Sequence, residues 1–142
     1  MTEKRSETKR PALLSLIDEK WIEQAFECFS KGRDKIYFFT DAPIGRATSM
    51  NIKNVYFKFT GKKDSVSLRA DFIDVIDKNP KENRLPGCEN NEGKYYYGFK
   101  NFKWLKMPLE LEELRYFTTG RNLPRDLPGA CIIVDPEAEV EK

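Results

Sequence analysis

The side chains best suited to chemistry in this chain are aromatic and basic ones that follow one another within residues 94–104, KYYYGFKNFKW. After Lys94, the segment holds three consecutive tyrosines, Tyr95, Tyr96 and Tyr97, and then two spaced lysines, Lys100 and Lys103. An aromatic ring stacks on an unpaired nucleobase with about 1–3 kcal/mol, and a nearby ammonium group attracts the phosphate that follows the base. We therefore expect the tyrosines to contact a base and the two lysines to contact phosphate.

A second polar group lies in residues 118–128, TTGRNLPRDLP, which read as an exposed loop. The candidate ligands in it are Arg121, Asn122, Arg125 and Asp126. A guanidinium group presents a planar fork of donors that fits phosphate. The same arginines could instead cap a preceding helix or pair with Asp126, and both interpretations stay open.

Several classes of enzyme are disfavoured by what the sequence lacks. The chain contains no histidine, which removes the usual base of nucleophilic triads and the commonest zinc ligand. Its three cysteines share no metal-ligand spacing and read as reduced thiols, and no GxxxxGK[ST] loop is present. We expect a binding module without metal or cofactor rather than a catalyst.

Charge is distributed unevenly along the chain, although the formal net charge is only +2. Residues 31–69 contain nine Lys/Arg against three Asp/Glu, whereas residues 107–142 contain four against eight. One part of the surface should therefore be electropositive, as a phosphate-binding face is. The alternative is an ordinary solvated surface with scattered charges.

The chain is expected to fold as one domain over 11–134, between a disordered tail at 1–10 and an acidic tail or linker at 135–142. Apolar residues at three- and four-residue steps predict a helix over 12–31, closed by Gly32, and a short helix over 108–116. Alternating or β-branched runs predict strands at 35–40, 54–60, 66–76, 95–105 and 129–134. These elements indicate an α+β fold with a small curved mixed sheet, or a partly open barrel, flanked by the N-terminal helix and short helices.

The fourth of these strands carries a conflict between its two halves. Tyr95, Tyr97 and Phe99 alternate onto one face, but Phe102 and Trp104 fall on the other. A bulge near Gly98 or residue 101 would reconcile them. We then expect Phe102 and Trp104 to pack in the core. Between the third and fourth strands, residues 77–94 read as a long exposed loop.

Residues 95–134, YYYGFKNFKWLKMPLELEELRYFTTGRNLPRDLPGACIIV, resemble the C-terminal half of PUA-like domains, the group that includes the YTH, EVE and ASCH families. Residues 54–76 are similar to the central hairpin of that group. The resemblance implies nucleic-acid binding, in several members with one modified base drawn into an aromatic pocket.

The resemblance also implies roles for individual residues. Thr40 and Asp41 occupy the position of polar groups that meet the base edge. Thr48 and Ser49 would line the base pocket, and Arg46 in the same loop would contact phosphate. The tyrosines fall near a cage aromatic, Asp126 would contact the base, and the loop with Arg121, Asn122 and Arg125 would meet the nucleic-acid backbone.

Three functions follow from these observations. The first is a DNA- or RNA-binding module that accommodates a flipped or modified base, as in the sensor domain of a modification-dependent restriction system with an NTPase or nuclease partner. The second is an ASCH-like amidohydrolase for a modified nucleoside, with Lys35, Thr40 and either Asp71 or Asp74. The third is a protein-interaction domain. We expect a cytoplasmic protein that is monomeric as an isolated domain. We expect no membrane span, because no apolar run approaches the roughly 20 residues that a span needs.

Overall fold

In the residues that the computed structural model describes, 10–40, 51–59, 65–85, 87–90, 92–124 and 130–136, six strands form one mixed sheet that curls into half a barrel. The strands are β1 (Pro11–Ile17), β2 (Ile36–Thr40), β3 (Asn54–Phe59), β4 (Ser65–Ile76), β5 (Tyr95–Glu110) and β6 (Cys131–Val134). One α-helix, α1 (Glu19–Ser30), and two 3₁₀ turns, Lys81–Asn83 and Leu111–Glu113, complete these elements. The strand order is β2-β5-β4-β3-β1-β6, with β1 and β3 parallel and every other pair antiparallel. The α+β class with a small curved mixed sheet is confirmed.

The predicted helix over 12–31 is wrong in its first part, which is the strand β1. Ala12, Leu13 and Leu14 are consecutive and all have no exposed surface. A strand inserted between β3 and β6 buries both of its faces, whereas a surface helix would bury only one stripe. Asp18 then starts α1, because its carboxylate accepts a hydrogen bond from the Lys20 backbone N–H at 3.1 Å.

The predicted helix over 108–116 is also wrong. β5 continues to Glu110, since Leu109 pairs with Val66 and Glu110 with Ser65, and only the 3₁₀ turn follows. Long-range pairing with β4 outweighs the local helical pattern of leucines in this segment.

The predicted bulge in β5 is confirmed at Asn101, whose φ of 58° is left-handed. Opposite it, the pairing shifts between Arg69 and Asp71 on β4. Gly98 has a different reason to be glycine, because a Cβ there would lie 2.8 Å from the Tyr37 ring.

The main core lies between α1 and one face of the sheet. Ile22 and Ala25 of the helix belong to one cluster with buried residues of the five strands β1 to β5, among them Val55, Leu68 and Phe99. Side chains alternate across a strand, so Asn54, Tyr56, Arg69 and Asp71 face away from the helix. A smaller cluster packs on that second face near the 3₁₀ turn Leu111–Glu113 and β6. It contains Leu111, Leu114, Leu123 and Ile133.

Two residues assigned above to the tails belong to the fold. Asp135 has no exposed surface, and the half-buried Arg10 donates a 3.3 Å hydrogen bond from Nε to its Oδ2. The backbone N–H of Asp135 also donates to the Arg10 carbonyl at 2.9 Å. The helix that the structure describes is too short and too polar to cross a membrane.

Candidate nucleic-acid interface

The sheet face that points away from α1 carries a groove of about 560 Å³ that is dominated by positive charge. We call it the basic groove, and its polar lining comprises Arg10, Lys53, Asn54, Arg69, Asp71, Lys100 and Lys103. Five of these seven side chains are cationic and one is acidic. Such a surface attracts polyanions and concentrates them near the protein.

The bulge at Asn101 is what brings Lys100 and Lys103 to the same face. Residues three apart on a regular strand point to opposite faces, because side chains alternate with a period of two. The extra residue restores the alternation, so that Lys100 lies opposite Asp71 and Lys103 opposite Arg69, two residues apart on β4. The structure thus brings together the two lysines predicted as phosphate ligands.

The wall of the basic groove rests on a buried hydrogen-bond network centred on Asp135. Its carboxylate accepts hydrogen bonds from the Tyr56 hydroxyl at 2.6 Å, Asn54 Nδ2 at 2.9 Å and Arg10 Nε at 3.3 Å. Asn54 Oδ1 in turn accepts from Arg69 Nη1 at 2.8 Å. A buried carboxylate is tolerated only when donors satisfy it, so the network fixes Arg10 and Arg69 in place.

The lysines of the basic groove are available in a way that the arginines are not. Lys53, Lys100 and Lys103 are exposed, and none of them forms an ion pair with another described residue. Asp71, the one acid in the lining, accepts a 2.9 Å hydrogen bond from Asn101 Nδ2. The arrangement can bind phosphate oxygens without first breaking an ion pair of these lysines.

The tyrosines predicted to stack on a base do not form that platform. Tyr97 has no exposed surface, and its hydroxyl shares a hydrogen bond with Ser15 inside the core, where burial raises the pKa of the phenol. Tyr96 is 3% exposed and lies under the Arg84 guanidinium, 5.2 Å from the ring centroid. Burial excludes both rings from base contact, and this part of the prediction is corrected.

Arg84 explains why Tyr96 is closed off. It is 1% exposed and lies near both the Tyr96 and Phe39 rings, while Nη1 donates to Asn79 Oδ1 at 2.8 Å. Its Nε and Nη2 have no hydrogen-bond partner among the described residues, and burial lowers the pKa of the guanidinium. Tyr95 of β5 is half-buried. Its pairing partner in β2, Thr40, is 7% exposed.

Some of the remaining predicted ligands lie away from the basic groove, and the others fall outside the described residues. Arg121 and Asn122 are exposed on the loop before β6, where Asn122 Nδ2 donates to the Glu112 carbonyl at 2.6 Å. The described part of that loop flanks the smaller cluster at Leu123, and neither Arg121 nor Asn122 lines the groove of Lys100 and Lys103. Six other predicted ligands lie outside the described residues: Asp41, Arg46, Thr48, Ser49, Arg125 and Asp126.

The sequence did not predict that three further cations would join the basic groove or that a ring on the opposite face of β5 would be exposed. Arg10, Lys53 and Arg69 come from separate segments and meet only through the sheet. Trp104, predicted to be core, is 58% exposed, because β2 pairs only with residues 95–99 of β5 and leaves the later part at an edge of the described sheet. The lysines on both sides of Trp104 in the sequence were the available signal, since edge strands commonly carry lysine.

A second groove, of about 630 Å³, lies on the opposite side of β5 against α1. We call it the aromatic groove, and its lining includes Phe26, Phe29, Arg33, Lys100, Asn101 and Phe102. Lys100 lines both grooves, since it directly follows Phe99, the last residue of β5 that pairs with β2, and β5 is an edge strand of the described sheet from there on.

Of the residues considered for an amidohydrolase, Lys35 and Asp74 both contact Tyr37, with Lys35 Nζ 5.9 Å from its ring centroid, whereas Thr40 lies at the other end of β2. Lys35 precedes β2 and Thr40 ends it, so the length of the strand separates them. Asp74 accepts a 2.6 Å hydrogen bond from the Tyr37 hydroxyl, and burial together with this bond raises the pKa of Tyr37. Within the described part of the chain, no three His, Cys, Asp or Glu residues are grouped to hold a metal ion.

Comparison with known proteins adds no relative to this picture. No family model, curated protein or solved structure matches the chain. The function is therefore inferred from the geometry and charge of the two grooves.

Proposed function

We propose that this chain binds nucleic acid, with the sugar-phosphate backbone held in the basic groove. The observation that carries the proposal is the meeting of Arg10, Lys53, Arg69, Lys100 and Lys103 over one groove whose single acidic side chain is already hydrogen-bonded. Each phosphate that such a cation neutralises releases a bound counterion, and this release drives association.

The shape of the basic groove favours a polymer over a small anion. Its cations come from the segments before β1 and β3 and from β4 and β5, and the lysines among them are exposed. A small anion site would enclose its ligand with buried donors. Exposed cations spread along a groove suit a chain of phosphates.

The resemblance to PUA-like domains adds a finer proposal, namely that the curled sheet is a PUA-like half-barrel and that one base is held on an aromatic ring. The mixed curled sheet with its N-terminal helix supports the first part. Because Tyr96 and Tyr97 are buried, neither of them can be this ring.

The proposal is tested by fluorescence anisotropy with labelled oligonucleotides, plain and base-methylated, at 50 and 200 mM salt. We expect affinity to fall steeply with salt, and the K100A/K103A variant to weaken binding to every oligonucleotide. Removing two phosphate contacts should reduce the slope of log K against log salt by about 1.4 on single strands.

The matched control is K20A/K31A, which removes the same charge from α1. Lys20 lies over the Trp21 ring and Lys31 pairs with Glu27 at 3.5 Å, and neither lines the basic groove. Affinity that is independent of salt, or an equal loss in both double variants, would contradict the proposal.

A further inference from the structure

Trp104 presents an aromatic surface that the fold does not cover. Its indole stacks on Phe26 at 5.8 Å and 12°, and the Phe59 ring meets it at 6.4 Å and 80°. Even so, 58% of the residue is exposed. Only one other large hydrophobic residue among those described is exposed, Met107 on the same edge segment. The stack of Phe26 and Trp104 therefore ends in solvent.

The strand segment that carries Trp104 is rich in positive charge. Residues 93–109 contain four lysines and no Asp or Glu, and Lys103 and Lys106 stand on either side of Trp104. Side-chain alternation places Lys106 on the face of Trp104, while Lys103 lines the basic groove on the other face. An aromatic ring next to cations is complementary to a base next to its phosphates.

The two grooves lie on opposite faces of β5, and Lys100 connects them. The connection runs over the part of β5 that β2 does not cover, since β2 pairs only as far as Phe99. A ligand that uses both the basic groove and Trp104 must turn around this strand edge. A duplex does not fit such a path, because its persistence length of about 150 base pairs makes a sharp turn around one strand costly and because its bases are stacked inside.

We infer that the ligand is single-stranded nucleic acid that crosses the edge of β5 at Lys100, with its phosphates in the basic groove and one base stacked on Trp104. This inference rests on the proposed function and specifies the class of nucleic acid. Stacking on an exposed ring needs an unpaired base but no particular base, so the contact tolerates sequence changes.

The test compares a mixed-sequence 12-nucleotide DNA, the same sequence as RNA and the blunt 12-base-pair duplex. We expect both single strands to bind at least tenfold more tightly than the duplex. Trp104→Ala should weaken single-strand binding roughly 5- to 150-fold, the loss of one stacked base, and Trp104→Phe should recover part of it. Duplex binding should be unchanged by either variant.

Tryptophan fluorescence gives an independent measurement. The chain has two tryptophans, so Trp21→Phe leaves Trp104 as the only reporter. Titration of this variant with the 12-nucleotide strand should quench its emission, whereas Trp104→Phe, which leaves Trp21, should show little quenching.

The results separate this inference from the proposed function. Equal affinity for strand and duplex, or full affinity in Trp104→Ala, overturns the single-strand path, while loss of binding in K100A/K103A still supports the basic groove. Binding of polyglutamate as tight as that of the oligonucleotide, with the same loss in Trp104→Ala, would assign the surface to an acidic protein partner and overturn both.

Discussion

Asn101 Nδ2 donates a 2.9 Å hydrogen bond to Oδ2 of Asp71, across the bulge that shifts the register of β5 against β4. The bulge residue has a φ of 58°, a region that asparagine tolerates and β-branched residues rarely enter. This one conformation places Lys100 and Lys103 on the same face. The bulge is therefore part of the proposed binding surface as well as of the sheet.

Asn101→Val should lower both stability and affinity for oligonucleotides, because valine resists the left-handed conformation and cannot donate to Asp71. Asn101→Gly, which keeps the conformation but loses the side chain, should retain most of the affinity. Thermal unfolding and anisotropy measure the two effects. Equal binding by both variants and the wild type would show that the bulge does not position the lysines.

Tyr56→Phe should destabilise the fold by about 1.5–3 kcal/mol, since it removes a hydrogen bond to the buried Asp135 carboxylate. Urea denaturation gives the free energy of unfolding. Tyr95→Phe is the matched control, because Tyr95 is half-buried and its hydroxyl makes no hydrogen bond to a described residue. A similar change in both variants would mean that the network around Asp135 adds little stability.

Gly98→Ala should cost about 1–3 kcal/mol, because the new methyl group would lie 2.8 Å from the Tyr37 ring, which packs against the strand. In a Tyr37→Leu background the same change should cost less, since the ring is gone. The four free energies of unfolding form a double-mutant cycle. Additive effects would show that the ring moves away without penalty.

Stability should fall as the pH rises from 9 towards 11. Burial raises the pKa of the Cys131 thiol from 9.0 to about 11, so the unfolded chain releases this proton first and is favoured in that interval. Below pH 9 the thiol is protonated in both states and contributes no pH dependence. Cys131→Ala should flatten the dependence between pH 9 and 10, as measured by urea denaturation at each pH. An unchanged curve would exclude the thiol as its source.

Most strands could be predicted from the sequence because their patterns are local. The alternation of Val66, Leu68, Ala70 and Phe72, all buried towards the core, was sufficient for β4. β1 was misread because its continuous apolar run is compatible with a helix until two neighbouring strands are known. The same holds for residues 108–110, which pair with a strand some forty residues away.

The candidate site was only partly predictable for a related reason. Lys100 and Lys103 are close in sequence, and their position beside the three tyrosines was enough to suggest a common role as phosphate ligands. Arg10, Lys53 and Arg69 share no motif, and burial rather than residue type separates Tyr97 from Trp104. Side-chain exposure depends on which strands end where, a property of the whole sheet.

The sequence by itself determined the α+β composition, the bulge in β5, the lack of histidine chemistry and the supply of aromatic and basic side chains. These follow from residue types and from contacts over a few positions. The tertiary structure decided which rings are open and which cations meet, because β2 pairs with β5 only as far as Phe99 and the bulge changes the face on which the following lysines lie. Strand length and register are fixed by pairing between distant segments, and no short stretch of sequence contains that information.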